Sequence, residues 1–119
     1  MKTVRHNAPS LNAELVGELD DDAGLALFRG IPYAEVNKRW THSRTKNSLE
    51  SPFDATQFGP RCPQVSLPVL VSGYTPDPDV REDEFKCLNL NIALPKEALP
   101  GLDGQLNASP LPVMVWIHG

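Results

Sequence analysis

Few side chains in this sequence are suited to chemistry. His6, His42 and His118 are the proton carriers of ordinary neutral-pH catalysis, and of these His118 stands beside Gly119 directly after an apolar run. His6 and His42 lie in irregular polar stretches and read as solvated. Cys62 and Cys87 would be free thiols in a reducing cytosol and would pair in a secreted chain. They do not read as a metal centre. Zinc needs three or four ligands at suitable spacing, and two distant cysteines with scattered histidines do not provide them. The acidic runs Asp20-Asp21-Asp22 and Glu82-Asp83-Glu84 lack the Asp-x-Asp-x-Asp-Gly spacing of a calcium loop and read as solvated turns. Lys38, Arg39, Arg44 and Lys46 form a basic patch with little aromatic interleaving, which reads as a solvated loop rather than a nucleic-acid surface.

The elements that must hold these residues are strands and loops. Proline is the reason, at 12 of 119 residues, because helix interiors reject a residue that lacks the N–H and clashes with the preceding turn. A net charge of −4 argues against nucleic acid as a partner, since counterion displacement needs a basic footprint. No run of 18 apolar residues is present, so no membrane span is expected. The basic start, Met1 to His6, is not followed by the apolar stretch of a signal peptide, which favours a cytoplasmic location.

Leu11–Leu19 alternates, with Leu11, Ala13, Leu15 and Gly17 on one parity, and predicts a strand with one wet face. Asp20 to Gly24 reads as a turn and Leu25–Arg29 as the second strand of a hairpin, ended by Gly30-Ile31-Pro32. Residues 35–58 are irregular, with Trp40 expected to anchor them to the body. Pro60, Pro63, Pro68, Pro76 and Pro78 mark a long loop. Leu88 to Leu94 alternates without an error and predicts a strand, with Leu88, Leu90, Ile92 and Leu94 facing one way. Val113-Met114-Val115-Trp116-Ile117 predicts a strand buried on both faces, which needs cover from a longer chain or from another molecule.

Four ordered blocks carry a resemblance. Phe28-Arg29-Gly30-Ile31-Pro32-Tyr33-Ala34 resembles the opening motif of the type-B carboxylesterase and lipase family, which includes cholinesterases. Phe53 to Gln64, Cys87-Leu88-Asn89-Leu90-Asn91-Ile92 and Leu111 to Gly119 resemble its following blocks in register. The resemblance implies the α/β-hydrolase fold. Residues 1–119 would be the N-terminal strand-and-loop part of that single domain, incomplete and with few helices. It implies a serine carboxylic-ester hydrolase that works through an acyl-enzyme, takes a small-molecule ester, and needs no organic cofactor or metal.

The same resemblance assigns roles. His118 and Gly119 would form the approach to the oxyanion hole, with His118 shaping the loop and not serving as the triad base, which the family places downstream. Glycine there lets backbone N–H groups come close to the developing negative charge. Cys62 and Cys87 resemble the first disulfide loop of the family. Tyr74, between them, falls in the loop that lines the pocket entrance and would contact substrate. The nucleophile elbow Gly-x-Ser-x-Gly is absent: Ser72-Gly73 is preceded two residues earlier by Leu70. The chain alone is therefore expected to be inactive. The alternatives are a non-catalytic cholinesterase-like interaction protein and a truncated pseudoenzyme. One departure stands out. The family's Ser-Glu-Asp before the second cysteine is replaced by Glu84-Phe85-Lys86, with the acids shifted earlier, which removes the expected position of an ion pair beside this strand.

Overall fold

A computed structural model of the chain describes residues 2–65, 79–99 and 110–118. Its strands are β1 (Lys2–Ala8), β2 (Ala13–Asp20), β3 (Leu25–Pro32), β4 (Ala34–Glu35), β5 (Arg44–Thr45), β6 (Phe53–Asp54) and β7 (Asn89–Pro95). Among the described residues there is no α-helix, only 3-10 turns at Pro9–Leu11 and Lys96–Ala98. The main sheet runs β1-β2-β3-β7, and β4 and β5 form a separate small ribbon.

The predicted hairpin is present. β2 buries Ala13, Leu15 and Gly17 and turns the intervening residues outward, as its alternation requires. The turn to β3 is held by the Ala23 amide donating to the Asp20 carboxylate at 2.9 Å. β1 is an addition to the sequence reading. It pairs antiparallel with β2 from Lys2↔Leu19 to Ala8↔Ala13. Its charged, polar residues hide a period of two in which Val4, His6 and Ala8 share the more buried face. His6 is consequently half-buried rather than fully solvated: its ring meets Phe28 edge-on, with centroids 6.3 Å apart.

β2 and β3 pair over only three residues, Glu18↔Leu27 to Asp20↔Leu25, before they part. β6 enters the gap, parallel to β2 at Leu15↔Phe53 and Val16↔Asp54. Ala55 follows and joins both strands: its N–H donates to the Val16 carbonyl at 2.8 Å, and its carbonyl accepts from Arg29 N–H at 2.7 Å. Ala55 is fully buried, and a methyl group is the side chain that fits so narrow a wedge. Leu15, Ala26, Phe28, Ile31 and Ala55 form the core, with Val4, Leu11, Leu49 and Phe53 packed against it. Each large side chain buried there contributes about 1.5–3 kcal/mol.

A bulge between Phe28 and Ile31 explains why Ala26, Phe28 and Ile31 all face the core although 28 and 31 differ in parity. Gly30 sits at that bulge with φ +65°. A Cβ there would lie 2.7 Å from both the Gln57 carbonyl oxygen and the Gly59 nitrogen.

Two further expectations are corrected. Trp40 does not anchor residues 35–58. It is fully exposed, because the turn from Lys38 to Thr41 takes Trp40 through φ +63° and turns the indole outward. Residues 113–117 form no strand and are exposed, Trp116 by 85%. An apolar run becomes a strand only against a partner backbone, and no described strand runs beside it. The predicted strand at β7 is in register; Leu94 packs against the core, while Leu90 and Ile92 stand 38% and 44% exposed. No described helix is long and apolar enough to cross a membrane.

Candidate functional site

The motif at 28–34 is a structural lock. Phe28 fills the core. The Arg29 guanidinium pairs with Glu18, donates to the Thr56 carbonyl at 3.1 Å and lies 5.1 Å from the Phe58 ring centroid. The Gly30 amide donates to the Asn91 side-chain oxygen at 2.9 Å, and the Tyr33 amide to the Leu88 carbonyl at 3.1 Å. One short run thus ties β2, the 53–59 segment and β7 together.

β7 begins just after Cys87, and its first residue organises that region. The Asn89 amide group donates to the Pro60 carbonyl at 2.9 Å and to the Lys86 carbonyl at 3.1 Å. Arg61 exchanges backbone bonds with its neighbours: its amide donates to Arg81 and its carbonyl accepts from Asp83. Its guanidinium grips Glu82, at 2.7 and 3.0 Å. Glu84 is held two-pronged by Arg39, at 2.6 and 2.8 Å. The Arg39 hydrogen bond pulls the Glu84 carboxyl below its ordinary pKa. Arg39, and not Trp40, therefore links the 38–41 turn to the segment before β7, while Leu49, Phe53 and Ala55 seat the rest of 35–58 on the core. The ion pair left without a position by the shifted acids does form, with Glu84 itself as the carboxylate.

These contacts bring Cys62 and Cys87 together. Both are free thiols, Cys62 exposed and Cys87 half-buried. Burial first, then the adjoining Cys62 thiol, push the Cys87 thiol above its usual pKa. The Cys87 thiol also points to the Glu84 carbonyl at 3.6 Å.

His118 is exposed, at the end of the strandless 110–118 segment. Gly119 and Tyr74 lie outside the described residues. No described residues bring together three or more His, Cys, Asp or Glu side chains able to hold a metal. One described hollow, of about 470 Å³, is an open groove lined by Lys2, Glu18, Asp20, Asp22 and Arg29 among others. It contains no serine, cysteine or histidine, and so offers no nucleophile or neutral-pH base. The basic patch is partly spent: Arg39 on Glu84, and Lys46 on Glu35 at 3.0 Å. Sequence reasoning missed Arg39, Arg61, Glu82 and Glu84 as partners. The signal was two acids flanking Asp83 near the second cysteine, and two arginines upstream in polar loop segments.

Residues 13–119 match the carboxylesterase family from one end of that span to the other. The chain belongs to the carboxylesterase family. Its sheet is the strand-and-loop part of the α/β-hydrolase fold and superposes on a thermophilic PNB esterase with a TM-score of 0.55 at 26% identity. That match covers 73% of this chain and 18% of the esterase. Among carboxylesterase relatives, it is 37% identical over 111 residues to Lipase 1 of Yarrowia lipolytica, covering 92% of this chain and 20% of the lipase. It is 39% identical over 121 residues to phenmedipham hydrolase of Pseudarthrobacter oxydans, covering 98% of this chain and 22% of the hydrolase. The chain therefore spans about a fifth of the length of these relatives.

Proposed function

We propose that residues 1–119 are the N-terminal part of a single carboxylesterase domain, and that the whole domain is a serine hydrolase of small carboxylic esters. The observation that carries this reading is the family match over residues 13–119 at a fifth of the relatives' length. In such a hydrolase a serine would attack the ester carbonyl and form an acyl-enzyme, which water then cleaves. Backbone N–H groups would hold the oxyanion because charge appears on the carbonyl oxygen only during attack. In this reading the chain supplies the frame. The 28–34 lock fixes β3 against β7, the cysteine loop borders the pocket entrance with Tyr74 on it, and His118-Gly119 begins the oxyanion loop. The nucleophile elbow is absent from the sequence.

The test is hydrolysis of a chromogenic short-chain ester by the 119-residue chain, with a serine-directed organophosphate as probe. The expected result is no turnover above the buffer blank and no labelled serine. Turnover abolished by the organophosphate, with a labelled serine in the chain, would overturn the proposed division of labour.

A further inference from the structure

We infer that Trp40 is the tip of a docking arm whose partner is a second copy of this chain, where it enters the open groove walled by Leu19 and Leu27. The arm is braced at its base. β4 and β5 form a ribbon apart from the main sheet, and residues 36–43 loop out between them. The Lys46 amide donates to the Tyr33 carbonyl at 2.9 Å, and the Lys46 ammonium to Glu35 at 3.0 Å. The turn is fixed by Arg39 on Glu84 and by the Thr41 hydroxyl, which donates to the Lys38 carbonyl at 2.6 Å. At the apex Trp40 is fully exposed, with φ +63°, a conformation that a bulky side chain rarely adopts. The fold thus holds an indole in water on a strained, braced backbone, and strain of this kind collects at binding sites. Lys38 and Arg44, on the same arm, are exposed and form no ion pair among the described residues.

The same chain carries the complement. The groove of about 470 Å³ has half-buried Leu19 and Leu27 in its walls, with Asp20 and Asp22 beside them. Two of its carboxylates are engaged at home, Glu18 with Arg29 and Asp21 with Lys2. Asp20 and Asp22 form no ion pair among the described residues, which leaves two carboxylates to face the two cations of the arm. The volume falls in the range of about 300–1,000 Å³ that suits a small, largely apolar ligand. A chain's own arm does not enter its own groove, since Trp40 is fully exposed. The arm that fits comes from another copy. A tryptophan buried at the centre of such a contact supplies most of the affinity, and the matched charges set the register. Reciprocal docking closes a two-fold dimer that uses both arms and both grooves.

The test uses the 119-residue chain carrying Val115→Lys and Trp116→Phe, which silences the apolar run at 113–117 and leaves Trp40 as the only tryptophan. In low salt, raising the concentration should move Trp40 fluorescence to the blue while sedimentation reports a dimer. Trp40→Ala should weaken the dimer about tenfold or more, read by sedimentation. Lys38→Glu and Asp22→Lys should each weaken it about fivefold. An equimolar mixture of these two variants should recover the parent affinity, because each reversed charge then meets its opposite across the contact. Trp40 emission that stays water-like at every concentration would overturn the inference. So would a blue shift seen only with anionic phospholipid vesicles, which would assign the arm to a lipid surface. A mixture that associates no better than either variant alone would overturn the groove as the place where the arm docks.

Discussion

Gly30→Ala separates two penalties that usually arrive together. Gly30 has φ +65°, where an L side chain costs about 1–2 kcal/mol. A Cβ there would also sit 2.7 Å from the backbone of both Gln57 and Gly59, which cannot swing aside as a side-chain end would. Overpacking of this kind costs about 1–3 kcal/mol. The sum is about 2–5 kcal/mol. Gly24 is the internal control: its φ is +68°, yet nothing lies within 4 Å of the Cβ position. Gly24→Ala should carry the backbone penalty alone, about 1–2 kcal/mol. Urea unfolding followed by far-ultraviolet circular dichroism reports both, as shifts in midpoint at constant slope. If the two variants lose the same stability, the close approach of the 57–59 segment to β3 is not what selects glycine in the 28–34 motif.

Phe28→Ala empties the centre of the core and should cost about 3–5 kcal/mol by the same unfolding assay, a large share of a typical total of about 5–15. Arg39→Gln should raise the titration midpoint of the Glu84 carboxyl, read by carbon-13 NMR. Because the folded midpoint lies below the unfolded one, the pair stabilises fully above the ordinary glutamate range and is lost as pH falls through the folded value. Val115→Lys should reduce self-association, measured by sedimentation, because residues 113–117 form an exposed, uncharged apolar run of high β-propensity.

Strand positions were legible where the sequence alternates over a full strand length. The alternation of Leu11, Ala13, Leu15 and Gly17 survives in β2 because the core enforces it, and the Leu88–Leu94 pattern survives in the register of β7. β1 was hidden because its outward residues Thr3, Arg5 and Asn7 are polar and its inward face, Val4, His6 and Ala8, is only weakly apolar. Val113–Ile117 reads as the strongest strand by composition, but composition cannot supply the neighbouring backbone that a strand requires. The 28–34 motif was visible as a motif, while the reason for its glycine was not, since Gln57 and Gly59 approach from far along the chain. Trp40 looked like an anchor on hydrophobicity alone, but Leu49, Phe53 and Ala55 seat this segment on the core, and Arg39 beside Trp40 makes the link to Glu84. The proximity of the thiols was legible through the resemblance to the family's first disulfide loop, while the arginine–glutamate pairs beside them were not, because they join distant segments.

The way β2 shares its edge bears on the order in which the sheet assembles. Every partner of β1, and the outer half of the β2–β3 pairing, lies within residues 2–32. These contacts close short loops and can form while the rest of the chain is still being made. β6 can enter only where β2 and β3 have already parted, and β7 must return across residues 33–88 to reach β3. The three-strand meander is therefore a template with a slot in it. Ala55 fills the slot, and until residue 55 has been synthesised the Val16 carbonyl and the Arg29 amide await the partners they have in the finished sheet.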